Sequence, residues 1–222
     1  MPNPRLSTRF KLLQPIAPQL QKLRGIPVER ARARHDRDGD FIFIHINKTA
    51  GSSIVDALGV PLEHRTAQEK IDQLGRAVWN ERLTFTVVRN PWDRAVSQYL
   101  HRRRTTRGGL NPDSDISFSD WLKKAYVERD LEFRNHERMF LQQYEWTHDL
   151  ATGERLVDVV VHFEELAPGF SDVCRQLGRE DAALPHHKRS DRSSYRDYYD
   201  DEARELVAEA FHNDVSAFDY TY

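Results

Sequence analysis

The chain has 222 residues, and 39% of them are hydrophobic, which is enough for one substantial core and indicates one globular domain. Its formal net charge of −2 excludes a bulk positive field, so we expect no nucleic-acid partner and no membrane binding through overall charge. Any electrostatic specificity is therefore local.

Cysteine usage and hydropathy indicate the compartment. The single cysteine, Cys174, cannot form an intramolecular disulfide, which favours a reducing environment. No stretch approaches the roughly 20 apolar residues that span a bilayer, and the N-terminus lacks the hydrophobic block of a signal peptide. We therefore expect a cytoplasmic protein without a transmembrane segment.

Residues 1–39 differ from the rest of the chain. Five prolines interrupt them, and nine Lys or Arg residues outnumber three Asp or Glu residues. We interpret this segment as a basic, partly ordered N-terminal extension that lies on the domain, in preference to a dedicated membrane or polyanion tether. The domain itself is assigned to residues 40–222.

From residue 40 onward, strand-like apolar runs alternate with helical periodicity. This pattern predicts an α/β fold, a single P-loop-like domain whose mainly parallel central sheet is flanked by helices. Strands are predicted at 41–46, 83–88 and 157–162. Helices are predicted near 52–58, 66–78, 93–104, 117–129, 133–144, 170–177 and 200–213.

The first predicted strand runs into a tight loop and a helix N-terminus, as in a phosphate cradle. The sequence over 45–53 is His-Ile-Asn-Lys-Thr-Ala-Gly-Ser-Ser. Gly51 permits a conformation or a close approach that other residues resist, and Ser52 or Ser53 can cap the helix. Backbone N–H groups and the Lys48 ammonium can then converge on one anion.

A turn with His64 separates this loop from the second strand. Thr66 and Glu69 form a capping pattern that starts the next helix, so His64 either faces the cleft or is an exposed residue before that helix. His45, inside the first strand, is interpreted as a satisfied core histidine. The alternative candidates to His64 are His136, His162, His186 and His187.

The second predicted strand ends in Arg89, and the helix that follows carries Ser97 one to two turns later. These two side chains can converge on one anionic group through charge-assisted hydrogen bonds. The structural alternative for Arg89 is a salt bridge with Asp93. Two cationic strand ends, with Lys48 and Arg89, fit a ligand that carries phosphate groups at two points.

The loop does not match the Walker A pattern, because Lys48 precedes Gly51 instead of following a glycine. Arg89 also stands where magnesium-dependent phosphoryl transfer favours an aspartate. Positive charge is thus supplied directly, which predicts metal-free chemistry on a polyanionic donor.

Together these motifs resemble the carbohydrate sulfotransferase family. Residues 45–53 are similar to its 5′-phosphosulfate-binding loop, and residues 88–97 are similar to its 3′-phosphate-binding element. Asn47 departs from the family pattern, in which many relatives carry proline before the lysine. The resemblance covers roughly 40–222 and includes segments 163–166, 184–186 and 195–200.

The resemblance implies transfer of a sulfuryl group from 3′-phosphoadenosine 5′-phosphosulfate (PAPS) to a hydroxyl, with 3′,5′-adenosine bisphosphate (PAP) as product. The expected acceptor is a carbohydrate or a glycosylated small molecule. Arg89 and Ser97 are expected to hold the 3′-phosphate. The residues expected around the 5′ side are Lys48, Thr49, Ala50, Gly51, Ser52 and Ser53, and further candidates for donor phosphate are Lys188, Arg189 and Ser190.

Two catalytic roles follow from this chemistry. Lys48 is the candidate for stabilising charge on the bridging oxygen of the leaving group. His64 is the candidate general base, because histidine accepts protons near neutral pH and relatives carry a similar His-x-Thr-Ala segment. The residues of 195–199 include three tyrosines, which either pack at a helix start or stack on adenine.

Two other functions remain open from sequence. A small-molecule kinase fits the general fold but not the Walker A mismatch. A non-catalytic nucleotide- or polyanion-binding module would use the arginines of the charged segment 102–114, which we interpret either as a solvated loop or as a lid over an anionic substrate.

Overall fold

The computed structural model describes residues 28–184 and 193–222. Residues 1–27 of the predicted extension therefore lie outside the described part. So do the candidate residues His186, His187, Lys188, Arg189 and Ser190.

Within the described residues, three strands form one parallel sheet in the order β1-β2-β3. The strands are β1 (Phe41–Ile44), β2 (Leu83–Val88) and β3 (Val159–His162). The register pairs Phe43 with Phe85 and Phe85 with Val159. The predicted α/β class with a parallel central sheet is confirmed.

Helices flank the sheet and connect its strands. Shorter helical segments are a π-helix at Lys123–Val127 and 3₁₀ turns at Glu137–Phe140, Phe163–Glu165 and Tyr195–Tyr198. The α-helices are α1 (Val28–Asp38), α2 (Gly51–Leu58), α3 (Ala67–Leu74), α4 (Arg76–Glu81), α5 (Pro91–Thr105), α6 (Phe118–Leu122), α7 (Gln143–Thr147), α8 (Leu166–Gln176), α9 (Asp201–Ala210) and α10 (His212–Ala217). None of the helices in the described ranges has the length and apolar character needed to cross a membrane.

Successive side chains along each strand face opposite sides of the sheet, so the core has two layers. Ile42 and Ile44 of β1 pack on one face of the sheet with the four tryptophans. Phe41 and Phe85 pack on the other face with apolar residues of α2 and α8. Because helices cover both faces of a parallel sheet, its strands are mainly apolar, with Thr84 and Thr86 of β2 as buried polar exceptions. The buried Thr86 hydroxyl of β2 donates to the carbonyl of Ile44 at 2.8 Å.

Three predicted helices differ from the structure. The predicted helix 200–213 is divided at Phe211, between α9 and α10. The predicted helix 66–78 is divided at Gly75, whose φ of 86° no helix accommodates. The predicted helix 133–144 is wrong: the segment holds one 3₁₀ turn and then α7. The carbonyl of Phe133 accepts a hydrogen bond from the buried Arg102 guanidinium at 3.1 Å instead of from a helical N–H. Side-chain pairing thus replaces the helical ladder there.

Candidate functional site

A cleft of about 1240 Å³ lies where β1 and β2 end. The carboxyl ends of parallel strands are the usual ligand-binding edge of open α/β sheets. Its described lining contains five Lys or Arg residues and one Asp, so the cleft is cationic in a chain of net charge −2. The sequence-predicted site residues that line it are Lys48, Ala50, Gly51, Ser52, Ser53, His64, Arg89 and Ser97.

The loop after β1 has a strained backbone. Lys48 and Ala50 both adopt the left-handed conformation, with φ of 68° and 64°. Such non-glycine residues cost of order 1–3 kcal/mol and are typical of functional loops. Ala50 is the N-cap residue of α2, without a side-chain cap, so the expected capping by Ser52 or Ser53 is wrong. The first residues of α2, Gly51, Ser52 and Ser53, line the cleft at a helix N-terminus that has no capping side chain.

Two other side chains shape the loop from inside. The buried Thr49 hydroxyl donates to the carbonyl of Ile46 at 2.9 Å, so this side chain stabilises the loop instead of facing the cleft. Gly51 is required for space: a Cβ built there lies 1.8 Å from Cδ2 of His45. The glycine therefore allows the His45 ring to lie directly against the loop backbone.

His45 is buried, as expected, but it is not a satisfied core residue. Its Nδ1 has no hydrogen-bond partner among the described residues. Its ring lies against that of His64, with centroids 4.3 Å apart and the ring planes tilted by 35°. Burial, and secondarily the neighbouring His64, lower the pKa of His45 to about 3. This ring is neutral at physiological pH.

Asn47, the departure from the family pattern, anchors the loop. Its amide oxygen accepts from Nη2 of the fully buried Arg94 at 2.8 Å, and its amide nitrogen donates to the carbonyl of Met139 at 3.1 Å. Nε of Arg94 also donates to the carbonyl of Asn47 at 3.2 Å. These hydrogen bonds restrain the backbone that a proline would restrain through its ring.

Arg89 joins the second strand end to the first. Its Nη1 donates to the carbonyl of Lys48 at 3.0 Å, and its guanidinium lies 4.1 Å above the ring of Phe163. The salt bridge to Asp93, the structural alternative considered from sequence, is formed at 2.7 Å. Pairing with Asp93 and lining of the cleft therefore occur together, because the guanidinium has five donors in a fixed fork.

The backbone of Arg89 is fixed as firmly as its side chain. The fully buried Gln143 accepts from the Arg89 N–H and donates to its carbonyl, both at 2.8 Å. Gln143 in turn donates to the buried Asp214 at 3.2 Å. The next residue, Asn90, caps α5 and receives support from Glu164, which accepts from its N–H at 2.8 Å.

One face of α5 lines the cleft through residues spaced three or four apart. Besides Asp93 and Ser97, this face carries His101 and Arg104. Burial is the main cause that lowers the pKa of His101 to about 4, and the nearby Lys48 adds to it. The sequence interpretation missed His101, although the four-residue spacing from Ser97 is the signal that places it in the cleft.

His64 is half-buried in the cleft wall, not an exposed residue before a helix. Its Nδ1 lies 3.0 Å from the carbonyl oxygen of His45. Since a carbonyl can only accept, Nδ1 carries the proton and Nε2 keeps its lone pair. Burial lowers the pKa of His64, as do the cations Arg138 and Arg32, while the hydrogen bond to His45 opposes them. The predicted capping box of Thr66 and Glu69 is confirmed.

Some of the other candidate residues line the cleft and others do not. His136 lines the cleft, whereas His162 ends β3 with its ring 5.1 Å from that of Tyr220. Of the three tyrosines, Tyr195 lines the cleft, while Tyr199 packs edge-on against Phe118 at 4.9 Å. The charged segment divides in the same way. Arg102, Arg104 and Arg107 line the cleft, and Arg102 also donates to the carbonyl of Phe133, whereas Arg103 donates to the carbonyl of Pro112 and is not among the described lining residues.

A sequence model of the sulfotransferase family matches residues 32–221, which include both strand-end motifs and the His64 turn. The chain belongs to the sulfotransferase family. An uncharacterized protein of Archaeoglobus fulgidus is 23% identical over 107 residues, which are 48% of this chain and 77% of that protein. This sulfotransferase-family chain also matches a crystal structure of a sulfotransferase from Alicyclobacillus acidocaldarius, with 21% identity and a TM-score of 0.35. The match covers 68% of this chain and about half, 56%, of that one.

Proposed function

We propose that this protein transfers a sulfuryl group from PAPS to the hydroxyl of an acceptor. The observation that carries the proposal is the convergence of Lys48, Arg89 and Ser97 on one cleft at adjacent strand ends. Membership of the sulfotransferase family supports the same reaction class. The donor is then bound at two phosphate positions.

The residues present fit such a donor. At the 5′ side, the N-terminus of α2 offers backbone N–H groups beside Lys48, and helix N-termini favour anions. At the 3′ side, Arg89 is held by its backbone and its side chain, while Ser97 lies two turns into α5 on the same face as Asp93. A preorganised guanidinium loses little entropy when it binds a phosphate. The proposed contacts of Lys188, Arg189 and Ser190 lie outside the described residues.

In the proposed reaction the acceptor oxygen attacks sulfur in line with the leaving group. One S–O bond forms to the acceptor, and the S–O bond to the 5′-phosphate oxygen breaks. Lys48 stabilises the negative charge that develops on that oxygen. Nε2 of His64 receives the proton of the acceptor hydroxyl, since its Nδ1 already donates to His45. We propose metal-free chemistry because Lys48 and Arg89 supply the positive charge.

We propose a carbohydrate or glycosylated small molecule as the acceptor. The described lining of the cleft includes the polar Asn135 and His136 as well as the apolar Leu62 and Met139. Sugars present hydroxyl edges and apolar ring faces, and this lining offers partners for both. A cytoplasmic location is proposed with it, on the ground that Cys174 is a buried free thiol.

Calorimetry with PAP tests the donor assignment. Lys48→Ala and Arg89→Ala are expected to weaken PAP binding at least about tenfold each, because each removes a charge-assisted contact worth about 1.5–3 kcal/mol. Lys123→Ala, a surface change at an exposed pair with Glu202, is the matched control and should bind normally. Binding of magnesium-ATP in preference to PAP would instead support the kinase.

A further inference from the structure

The turn that carries His64 is held from behind by helix α1. Nε and Nη2 of Arg32 both donate to the carbonyl of Leu62, at 3.2 Å and 2.6 Å. Two donors from one planar guanidinium fix both the position and the direction of that carbonyl. The backbone two residues before His64 is thus bonded to a helix that precedes the sheet.

A buried charge cluster makes a second connection from α1 to the same turn. Lys70 of α3 is 5% exposed, and its ammonium donates to Asp36 of α1 and, at 2.9 Å, to Glu63. Nε2 of Gln73 donates to the other oxygen of Asp36 at 2.7 Å. Breaking a buried ion pair is strongly unfavourable, because the remaining partner becomes an unpaired buried charge. The residue next to His64 is therefore fixed to α1 through Lys70.

The turn is also held on its far side. Thr66 and Glu69 cap α3, and Arg138 donates to both carboxylate oxygens of Glu69, at 2.5 Å and 2.6 Å. His64 itself donates to the carbonyl of His45. Contacts therefore lie before, at and after the histidine, on three different parts of the chain. Such a turn presents Nε2 in one orientation.

We propose that helix α1 positions the candidate base His64, with Arg32 and Lys70 as the positioning residues. The proposal rests on the proposed function, in which Nε2 of His64 accepts the proton of the acceptor. Neither positioning residue belongs to the described lining of the cleft, so they act through the turn. A base displaced by about 1 Å can lose about 100-fold in rate.

Replacement of Arg32 tests the proposal without breaking the buried cluster. Arg32→Ala is expected to lower kcat by about 10- to 100-fold while the Kd for PAP stays within about twofold. Arg32→Lys keeps one donor and should recover part of the loss. Arg34→Ala removes the same charge from an exposed position of the same helix and should behave as wild type.

Imidazole ¹⁵N NMR gives a readout that needs no turnover. In the wild type the His64 signal, assigned by its loss in His64→Gln, should report a proton on Nδ1, and Arg32→Ala should add the Nε2-protonated tautomer. The proposal is overturned if Arg32→Ala keeps both kcat and the Nδ1 tautomer, or if it lowers kcat and PAP affinity equally. A wild-type protein that transfers no sulfate refutes the proposed function, and the NMR comparison then decides the positioning role alone.

Discussion

Substitution of Gly51 by alanine should disable donor binding through a collision with one ring. The added Cβ lies 1.8 Å from Cδ2 and 1.9 Å from Nε2 of His45, whereas ordinary carbon contacts begin near 3.4 Å. The loop and the ring must separate by roughly 1.6 Å, on the basis of ordinary contact distances. His45 has little room to move, because it is 5% exposed and lies against the rings of Phe43 and His64.

Overpacking of this kind costs about 1–3 kcal/mol, and the strained loop is the part that yields. We expect Gly51→Ala to bind PAP at least about tenfold more weakly, equivalent to about 1.4 kcal/mol. The assay is calorimetric titration with PAP, together with urea denaturation. Gly59→Ala is the matched control. A Cβ at Gly59 meets nothing within 4 Å, so the substitution causes no collision and should leave the affinity for PAP unchanged. Its left-handed φ of 66° should make alanine lower the stability by about 1 kcal/mol.

Removal of the obstructing ring should reverse the effect. The double variant Gly51→Ala/His45→Ala is expected to bind PAP more tightly than Gly51→Ala alone. The reasoning is refuted if Gly51→Ala binds PAP like the wild type, or if the double variant shows the sum of the two single losses.

Two further predictions concern the base and the second strand end. Only neutral His64 accepts a proton, and its pKa is lowered from 6.5, so kcat should stay level from pH 8 to about 6.5 and fall at lower pH. A pH–rate profile checks this. His64→Gln should remove the acidic limb of the profile along with most of kcat. Gln143→Leu removes both hydrogen bonds from Gln143 to the backbone of Arg89, which should cost about 1–3 kcal/mol for each in urea denaturation and weaken PAP binding. The exposed Gln176→Leu should change neither.

Apolar periodicity was sufficient to predict the sheet. The predicted bounds of β2, 83–88, are confirmed, because a run of apolar and β-branched residues favours a strand that is covered on both faces. The helix limits were less predictable. Arg102 and Arg134 satisfy carbonyls of the chain near residue 130 through long-range side-chain hydrogen bonds, which no local pattern encodes.

The site was predictable where it depends on strand ends and less so where it depends on tertiary contacts. Lys48 and Arg89 follow directly from the two strand-to-helix junctions. The link between them, a hydrogen bond from Arg89 to the carbonyl of Lys48, depends on the distance between strands. Likewise, the tautomer of His64 depends on the carbonyl of His45, nineteen positions away in the chain.

The most direct test of the proposed function is transfer of ³⁵S-labelled sulfate from PAPS by the wild-type protein to a panel of carbohydrate and glycosylated acceptors. The proposal predicts a labelled acceptor and stoichiometric PAP, with Lys48→Ala reducing transfer at least about 100-fold. Transfer that is unchanged in both Lys48→Ala and Arg89→Ala would contradict it.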